Sequence, residues 1–485
     1  MNLPAISPGY NVSPGTNFTA DIVIGLEIHV QLNTKTKLFC GCVSQGHDEP
    51  NTRCCPICLG HPGSRPVLNK NALALATKFC LAVHSSLASQ LIFSRKSYFY
   101  PDMSKNFQIT QFEEPLGRGG RVSLKSGKVV ELTRVHLEED PASISYPLSM
   151  KQSAYCLIDY NRSGSPLIEI VTRPELASPD EARDFLNQLM CILTYLKIFE
   201  VSNGIIKADV NISVKESNYT RVEIKNITGF KEVEKALVSE IARQKQLLGE
   251  GKEVRQETRG WDSSTNSTHL LRTKETEADY GYIIEPDLST IDLSQEFKDK
   301  IKLEIPELAQ EKIQRYIRAF QLNQIDAEVM AMQLELAQLF EKVAQQIDPQ
   351  LAAKWLRKEL LRVLNYNNIS AAEIKFNEKE LVELLQLVQH NLISDATAQK
   401  IIEELVIKPF SPKEYVAKHH LELISDDQEL REFCHRVIAE NQAAINDYRA
   451  GNEKSLNFLV GLVMRLSKGK ASPQIVNELM KRLIK

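Results

Sequence analysis

"DIVIGLEIHVQL", residues 21–32, sets the fold of the first half of this chain. Ile, Val and Leu alternate with other residues at period two, which is the signature of a strand with one buried face. Glu27 and His29, two apart, then share the opposite face. The same texture returns in "YCLIDY", "PLIEIVT", "IKADVNISV" and "RVEIKNI", with Gly-rich turns such as "GRGG" (117–120) and "SGSP" (163–166) between such runs. Two helices interrupt them. "SPDEARDFLNQLMCILTYL" opens with a cap-like Ser178, Pro179 and two acids, and a second helix over about 230–249 ends at Gly249 and Gly251. The expectation is an α+β head with a predominantly antiparallel sheet.

Near residue 290 the pattern changes. Gly becomes rare and apolar residues recur at i, i+3 and i+4. "AEVMAMQLELAQLFEKVAQQI" and "DPQLAAKWLRKELLRVLNY" read as amphipathic helices, and "KPFSPKEYVAKHHL" (408–421) as a joint. The expected division is a flexible leader over 1–20, a head over 21–292, a helical domain over 293–410 and a helical tail over 411–485. The 485 residues carry a net charge of −3, which excludes polyanion binding by bulk charge. Residues 455–485 nevertheless hold six Lys or Arg against Glu478 alone. That excess suits a phosphate backbone or a solvated helix face. No apolar run is long enough to span a bilayer, and the first residues lack the basic start and apolar core of an export signal. A cytoplasmic protein with no membrane contact is expected.

Several positions bear chemistry. Cys40, Cys42, Cys55 and Cys58 form a C-x-C…C-x-x-C pattern. Two close thiol pairs suit a closed tetrahedral zinc site; a redox pair and plain buried thiols are the alternatives. Beyond Glu27 and His29, "VHLEED" adds His136, Glu138, Glu139 and Asp140, "KADVNIS" adds Asp209 and Asn211, and "RVEIKN" adds Glu223, Lys225 and Asn226. Each alternation alone reads as an ordinary exposed sheet face. Four together read as an acidic concave face for Mg²⁺, a hard ion that takes oxygen ligands and bridges phosphates. Neither a Walker loop nor G-x-G-x-x-G is present.

These motifs run in one order. "IGLEIHVQLNTKTKLFCGC", "CPICLGHPGSRPVLN", "KSYFYPDMSKNFQITQFEEPL", "HLEED", "DYNRSGSPLIEIV", "VEIKN" and, in the tail, "NFLVGLVMRLSKGKASPQIVNELM" resemble the B subunit of the aspartyl/glutamyl-tRNA amidotransferases, the GatB family, from about residue 21 to 485. The resemblance implies a head folded as a cradle similar to glutamine synthetase and the guanidino kinases, and helical parts that hold tRNA. It implies ATP and Mg²⁺ as cofactors, with structural Zn²⁺. The implied reaction is phosphorylation of the side-chain carboxylate on misacylated tRNA(Gln) or tRNA(Asn), followed by amidation. Ammonia would come from a glutaminase A subunit, with a small C subunit clamping the pair. By the same resemblance Glu27, His29, Glu138, Glu139 and Asp209 are catalytic; Glu27, His29 and Glu139 hold Mg²⁺; and the four cysteines hold zinc. Lys207, Asn211, Glu223, Lys225, Tyr98 and Arg162 are the cofactor-binding set. Tyr100, Asp102, Asn161 and Glu169 lie in motifs that line the cradle.

The chain departs from the family pattern where Ser202 and Asn203 stand for two acids, Ser143 for a Lys, Gly260 and Gly281 each for an Arg, and Ile284 for a Pro. Two alternatives therefore stand beside a working B subunit: a divergent copy that binds tRNA and partners with weak or no transamidation, and a binding or assembly protein without catalysis.

Overall fold

A computed structural model describes residues 21–46, 48–148, 153–199, 206–272, 281–424, 427–467 and 470–484. The leader, Ser202 and Asn203 lie outside these. The chain divides into two compact units, one ending at Pro306 and one running from Glu307.

The first unit is built on a mixed ten-stranded sheet. Seven of its strands carry the argument: β1 (Ile22–Gln31), β2 (Val129–Glu139), β3 (Pro166–Thr172), β4 (Ile206–Val214), β5 (Val222–Thr228), β6 (Glu257–Asp262) and β7 (Ser267–Arg272). In space they run β7-β6-β5-β4-β1-β3-β2. Every pairing among them is antiparallel except β5 with β6. That parallel pair follows from the crossover between the two strands, which is made by a helix, α3 (Phe230–Gly249), long enough to return the chain to the same end of the sheet. Expected as predominantly antiparallel, the sheet is so with this one exception.

Alternation decides which face does what. Ile24, Leu26, Ile28 and Val30 of β1 and Ala208, Val210, Ile212 and Val214 of β4 are buried on one face, the side onto which α3 packs. Beside α3 lies α2 (Pro179–Tyr195), which starts as its sequence reads: Ser178 Oγ accepts from the Glu181 N–H, and Pro179 fills the first turn. An earlier helix, α1 (Lys70–Ala82), packs near β2. Glu27, His29 and Gln31, and Lys207, Asp209 and Asn211, are thereby left on the other face.

The second unit is helical. The stretch expected as one helix over 327–347 is two, Gln324–Ala331 and Leu334–Val343, because Gln333 is extended (φ −121°, ψ 124°). The turn there lets Leu336, Ala337, Phe340 and Val343 join the buried core. A π-helical turn at Leu356–Leu360 interrupts the helix that runs from Pro349 to Asn367. Ser411 Oγ donates to Glu383 at 2.7 Å, and the helix Pro412–His419 packs on Glu378–Gln389. A separate hydrophobic cluster, with Leu430, Val437, Leu459, Val463, Val476 and Met480 fully inside it, holds the last helices together. No helix among the described residues is long and apolar enough to cross a membrane.

Candidate functional site

Strand register assembles the polar face row by row. His29 stands opposite Glu169 on β3 and Lys207 on β4, and Glu169 stands opposite His136 on β2. Glu27 stands opposite Asp209, which sits at an irregularity where β4 and β5 slip register. A cavity of about 460 Å³ opens over this face. Its walls bring together His29, Glu138, Asp140, Glu169, Lys207, Asp209 and Lys225 from the sheet with Lys96, Tyr98 and Asp102 from the segment before residue 103.

Three of these groups form a tight cluster. One ligand atom each from His29, Glu138 and Glu169 lies within 4.8 Å of the others. His29 Nδ1 is 2.9 Å from Glu138 Oε1, and Thr110 Oγ1 donates to the second oxygen at 3.3 Å. His136 Nε2 lies 3.4 Å from Glu169 and 3.6 Å from Glu138. Burial works against a charge on His29, but the Glu138 hydrogen bond and the fields of Glu138, Glu169 and Asp209 prevail and raise it to about 10. His136, buried beside the same carboxylates, rises to about 9. The carboxylates respond in kind: despite burial, His136 and His29 hold Glu138 well below its ordinary value and hold Glu169 at about 2. Protons on two imidazoles thus balance two buried carboxylates. A divalent cation would supply the same charge, and two carboxylates with one imidazole are a donor set that can hold one.

The other expected residues fall around this core. Glu27 is pushed up by burial and by its acidic neighbours Glu169, Glu223 and Asp209. Asn211 Nδ2 reaches it at 3.5 Å. Lys225 bridges Asp209 and Glu223 at 3.2 Å each, and these two acids raise it against the cost of its burial. Lys207 Nζ lies 3.9 Å from Asp140. Two residues are placed elsewhere. Glu139, adjacent to Glu138 on one strand, points to the opposite side, where it accepts from Lys105 and from the Ile109 N–H. Arg162 holds the Pro141 and Ala142 carbonyls at 3.0 and 2.7 Å, pairs with Asp140 of the first cavity's wall at 3.4 Å, and itself lines a second cavity with Ser143. Glu169, not Glu139, therefore joins the His29 cluster. Its sequence signal is a lone carboxylate inside the apolar run "PLIEIVT".

Gly260 is explained by its neighbour. A Cβ built there would lie 2.8 Å from the His269 ring, its cross-strand partner on β7. Gly281 pairs with Ser97 on a small separate sheet.

The cysteine motif closes into a knuckle beside the sheet. A bridge between Thr36 and Val43 folds Cys40 and Cys42 together, and the Cys55 N–H donates to Cys58 Sγ at 3.2 Å. All four Sγ atoms lie within 4.8 Å of one another, and Cys55 and Cys58 are 3.9 Å apart. Tetrahedral Zn–S bonds of about 2.3 Å require sulfur–sulfur edges of about 3.8 Å, so the set fits zinc. Cys40 donates to Cys58 and, against burial, pulls that thiol down to about 4, while burial pushes Cys42 up to about 11. Gly60 has φ +68° and a Cβ there would strike Lys105, so the knuckle can lie against the Lys105–Glu139 pair only with glycine.

Comparison with known proteins agrees with this layout. A family profile described as the GatB/GatE catalytic domain matches residues 22–299, and one described as the GatB domain matches 338–484. The chain belongs to the GatB family. Its GatB relatives include proteins named as the B subunit of aspartyl/glutamyl-tRNA(Asn/Gln) amidotransferase. That of Clostridium tetani is 40% identical over 469 residues, covering 94% of this chain and 97% of the relative. That of Sulfolobus acidocaldarius is 42% identical over 471 residues, covering 95% and 99%. That of Thermotoga neapolitana is 39% identical over 476 residues, covering 95% and 98%. The GatB/GatE profile spans the whole polar sheet face and the knuckle, and the GatB-domain profile covers most of the helical unit.

Proposed function

We propose that this chain is the B subunit of a tRNA-dependent amidotransferase. It would phosphorylate the side-chain carboxylate of Glu-tRNA(Gln), Asp-tRNA(Asn) or both, then exchange phosphate for ammonia. One observation carries the reading: the His29–Glu138–Glu169 cluster faces a cavity that also holds Lys96, Lys207 and Lys225. Acids for a cation and cations for phosphates are then within one cradle, the pairing that phosphoryl transfer requires.

Glu138, Glu169 and His29 would hold Mg²⁺, which when bound offsets charge on the phosphates of ATP. Glu139 stays outside that set, and its pairing with Lys105 holds the strand end. The substrate carboxylate oxygen attacks the γ-phosphorus, and ADP leaves. Ammonia then attacks the acyl carbon, phosphate leaves, and the surplus proton needs a base. Glu27, raised toward neutrality and beside Asp209, is suited to accept it. Lys207 and Lys225 position and neutralise anionic oxygens, and Tyr98 and Asp102 add to the cavity wall. Asn211 and Glu223 hold Glu27 and Lys225 in place. The predominantly antiparallel sheet with a cavity over its polar face supports likeness to the glutamine synthetase cradle.

Ammonia is expected from a glutaminase partner clamped by a small third subunit, since the name carried by the relatives implies a multi-subunit enzyme. The helical unit would grip the tRNA body. In a reconstituted complex given misacylated tRNA, ATP, Mg²⁺ and glutamine, Glu169→Gln should remove ATP-dependent amide formation while tRNA binding persists. Unaltered amide formation would overturn the site assignment.

A further inference from the structure

Lys37 is completely buried, yet it has no carboxylate partner. Its Nζ donates to the Arg53 carbonyl at 2.9 Å, to the Tyr160 carbonyl at 3.3 Å and to Cys58 Sγ at 3.5 Å. No acidic oxygen comes within ion-pair range of it among the described residues. Burying an ammonium with neither counter-charge nor water is strongly unfavourable. Two carbonyls satisfy its hydrogens but not its charge. The remaining partner is sulfur.

Four thiolates around a divalent cation carry a net charge of −2, and Lys37 beside them brings the ensemble to −1. We infer that Lys37 is the outer-sphere partner of the cysteine knuckle, a positioning residue whose N–H···S bond to Cys58 stabilises the metal tetrathiolate. The inference rests on the zinc reading of the four cysteines. It goes further, because it makes metal occupancy and the integrity of the cradle wall interdependent. Lys37 joins Cys58 to the backbone at Arg53 and Tyr160, while Ser104 Oγ and Ser163 Oγ donate to the Cys58 carbonyl at 2.9 and 3.2 Å. Ser104 precedes Lys105, and Tyr160 and Ser163 flank Asn161 and Arg162 in the motif that borders the second cavity. Donation from Lys37 to sulfur lowers the nucleophilicity of the Cys58 thiolate.

Lys37→Met preserves the apolar stem and removes both charge and donor; Lys37→Gln removes the charge and keeps a donor. Zinc affinity of the full chain would be measured by competition with a chromogenic chelator, and the sulfur-to-metal charge-transfer band would be recorded after cobalt substitution. The Met variant should bind zinc about 10- to 100-fold more weakly. Its cobalt band should move to lower energy, since a sulfur that has lost its hydrogen bond donates more readily. The Gln variant should lie between this and the wild type, and it carries the test should the Met variant not fold. Wild-type zinc affinity with an unshifted band in either variant would refute the role of Lys37 and leave the zinc site standing. A wild-type chain that takes up no stoichiometric zinc would overturn both.

Discussion

Replacing Glu138 with Gln removes one carboxylate and keeps its shape. In the wild type His29 holds its proton to about pH 10 because Glu138 and Glu169 face it. A group raised from 6.5 to about 10 contributes stability that is complete below pH 6.5 and is lost as pH rises through 10. Worked from those two values, the contribution is about 4 kcal/mol at pH 7 and about 1.4 kcal/mol at pH 9. Glu169, held at about 2, works in the opposite sense: its contribution is present above pH 4.5 and fades as pH falls toward 2. In magnesium-free buffer the wild type should therefore be most stable between about pH 4.5 and 6.5 and lose about 2.5 kcal/mol from His29 alone between pH 7 and 9. Glu138→Gln should abolish most of that slope and return the His29 midpoint toward 6.5. The assay is NMR titration of the labelled imidazole, with chemical denaturation at each pH. A His29 midpoint near 6.5 in the wild type, or one that Glu138→Gln does not move, would refute the charge reasoning.

Three further outcomes follow from local geometry. Gly260→Arg should destabilise the chain by about 1–3 kcal/mol, since its Cβ meets the His269 ring; His269→Ala should recover most of the loss in thermal unfolding, and no recovery would place the strain elsewhere. Cys55→Ser should abolish stoichiometric zinc and lower the unfolding temperature of the first unit, read by metal analysis alongside calorimetry. Removing residues 427–485, the last hydrophobic cluster, should weaken tRNA binding and flatten its dependence on salt; an unchanged dissociation constant at every salt concentration would return that basic segment to a solvated surface.

How much of this was legible in the sequence depended on parity. In β1 and β4 a single polar residue alternates with each apolar one, so Glu27, His29, Lys207 and Asp209 could be assigned to one face from the sequence alone. "VHLEED" places three acids in a row: if extended, period two sets His136, Glu138 and Asp140 on one face, whereas the resemblance assigns Glu139 to the metal. The β2–β3 register decides between the two, by setting Glu169 opposite His136 and Leu167 opposite Glu138. The parallel β5–β6 pair was not legible because pairing direction depends on where α3 delivers the chain. Lys37 was invisible for a different reason. In "NTKTKLFC" it reads as one more exposed lysine, and only the folding of the knuckle against Tyr160 buries it. Ser411, expected as the start of the tail, bonds to Glu383 of the preceding helices, a long-range contact that a Pro- and Ser-rich stretch does not reveal.

Phosphoryl transfer to a tRNA-borne carboxylate on the His29–Glu138–Glu169 face is tested most directly in a reconstituted complex. The chain, joined to glutaminase and small subunits, would be supplied with Glu-tRNA(Gln) or Asp-tRNA(Asn), ATP, Mg²⁺ and glutamine, and amide and ADP would be measured together. The wild type should give amide with stoichiometric ADP, and Glu138→Gln should give neither while retaining its tRNA affinity. Tight tRNA binding by the wild type with no amide and no ADP would contradict that role for the face.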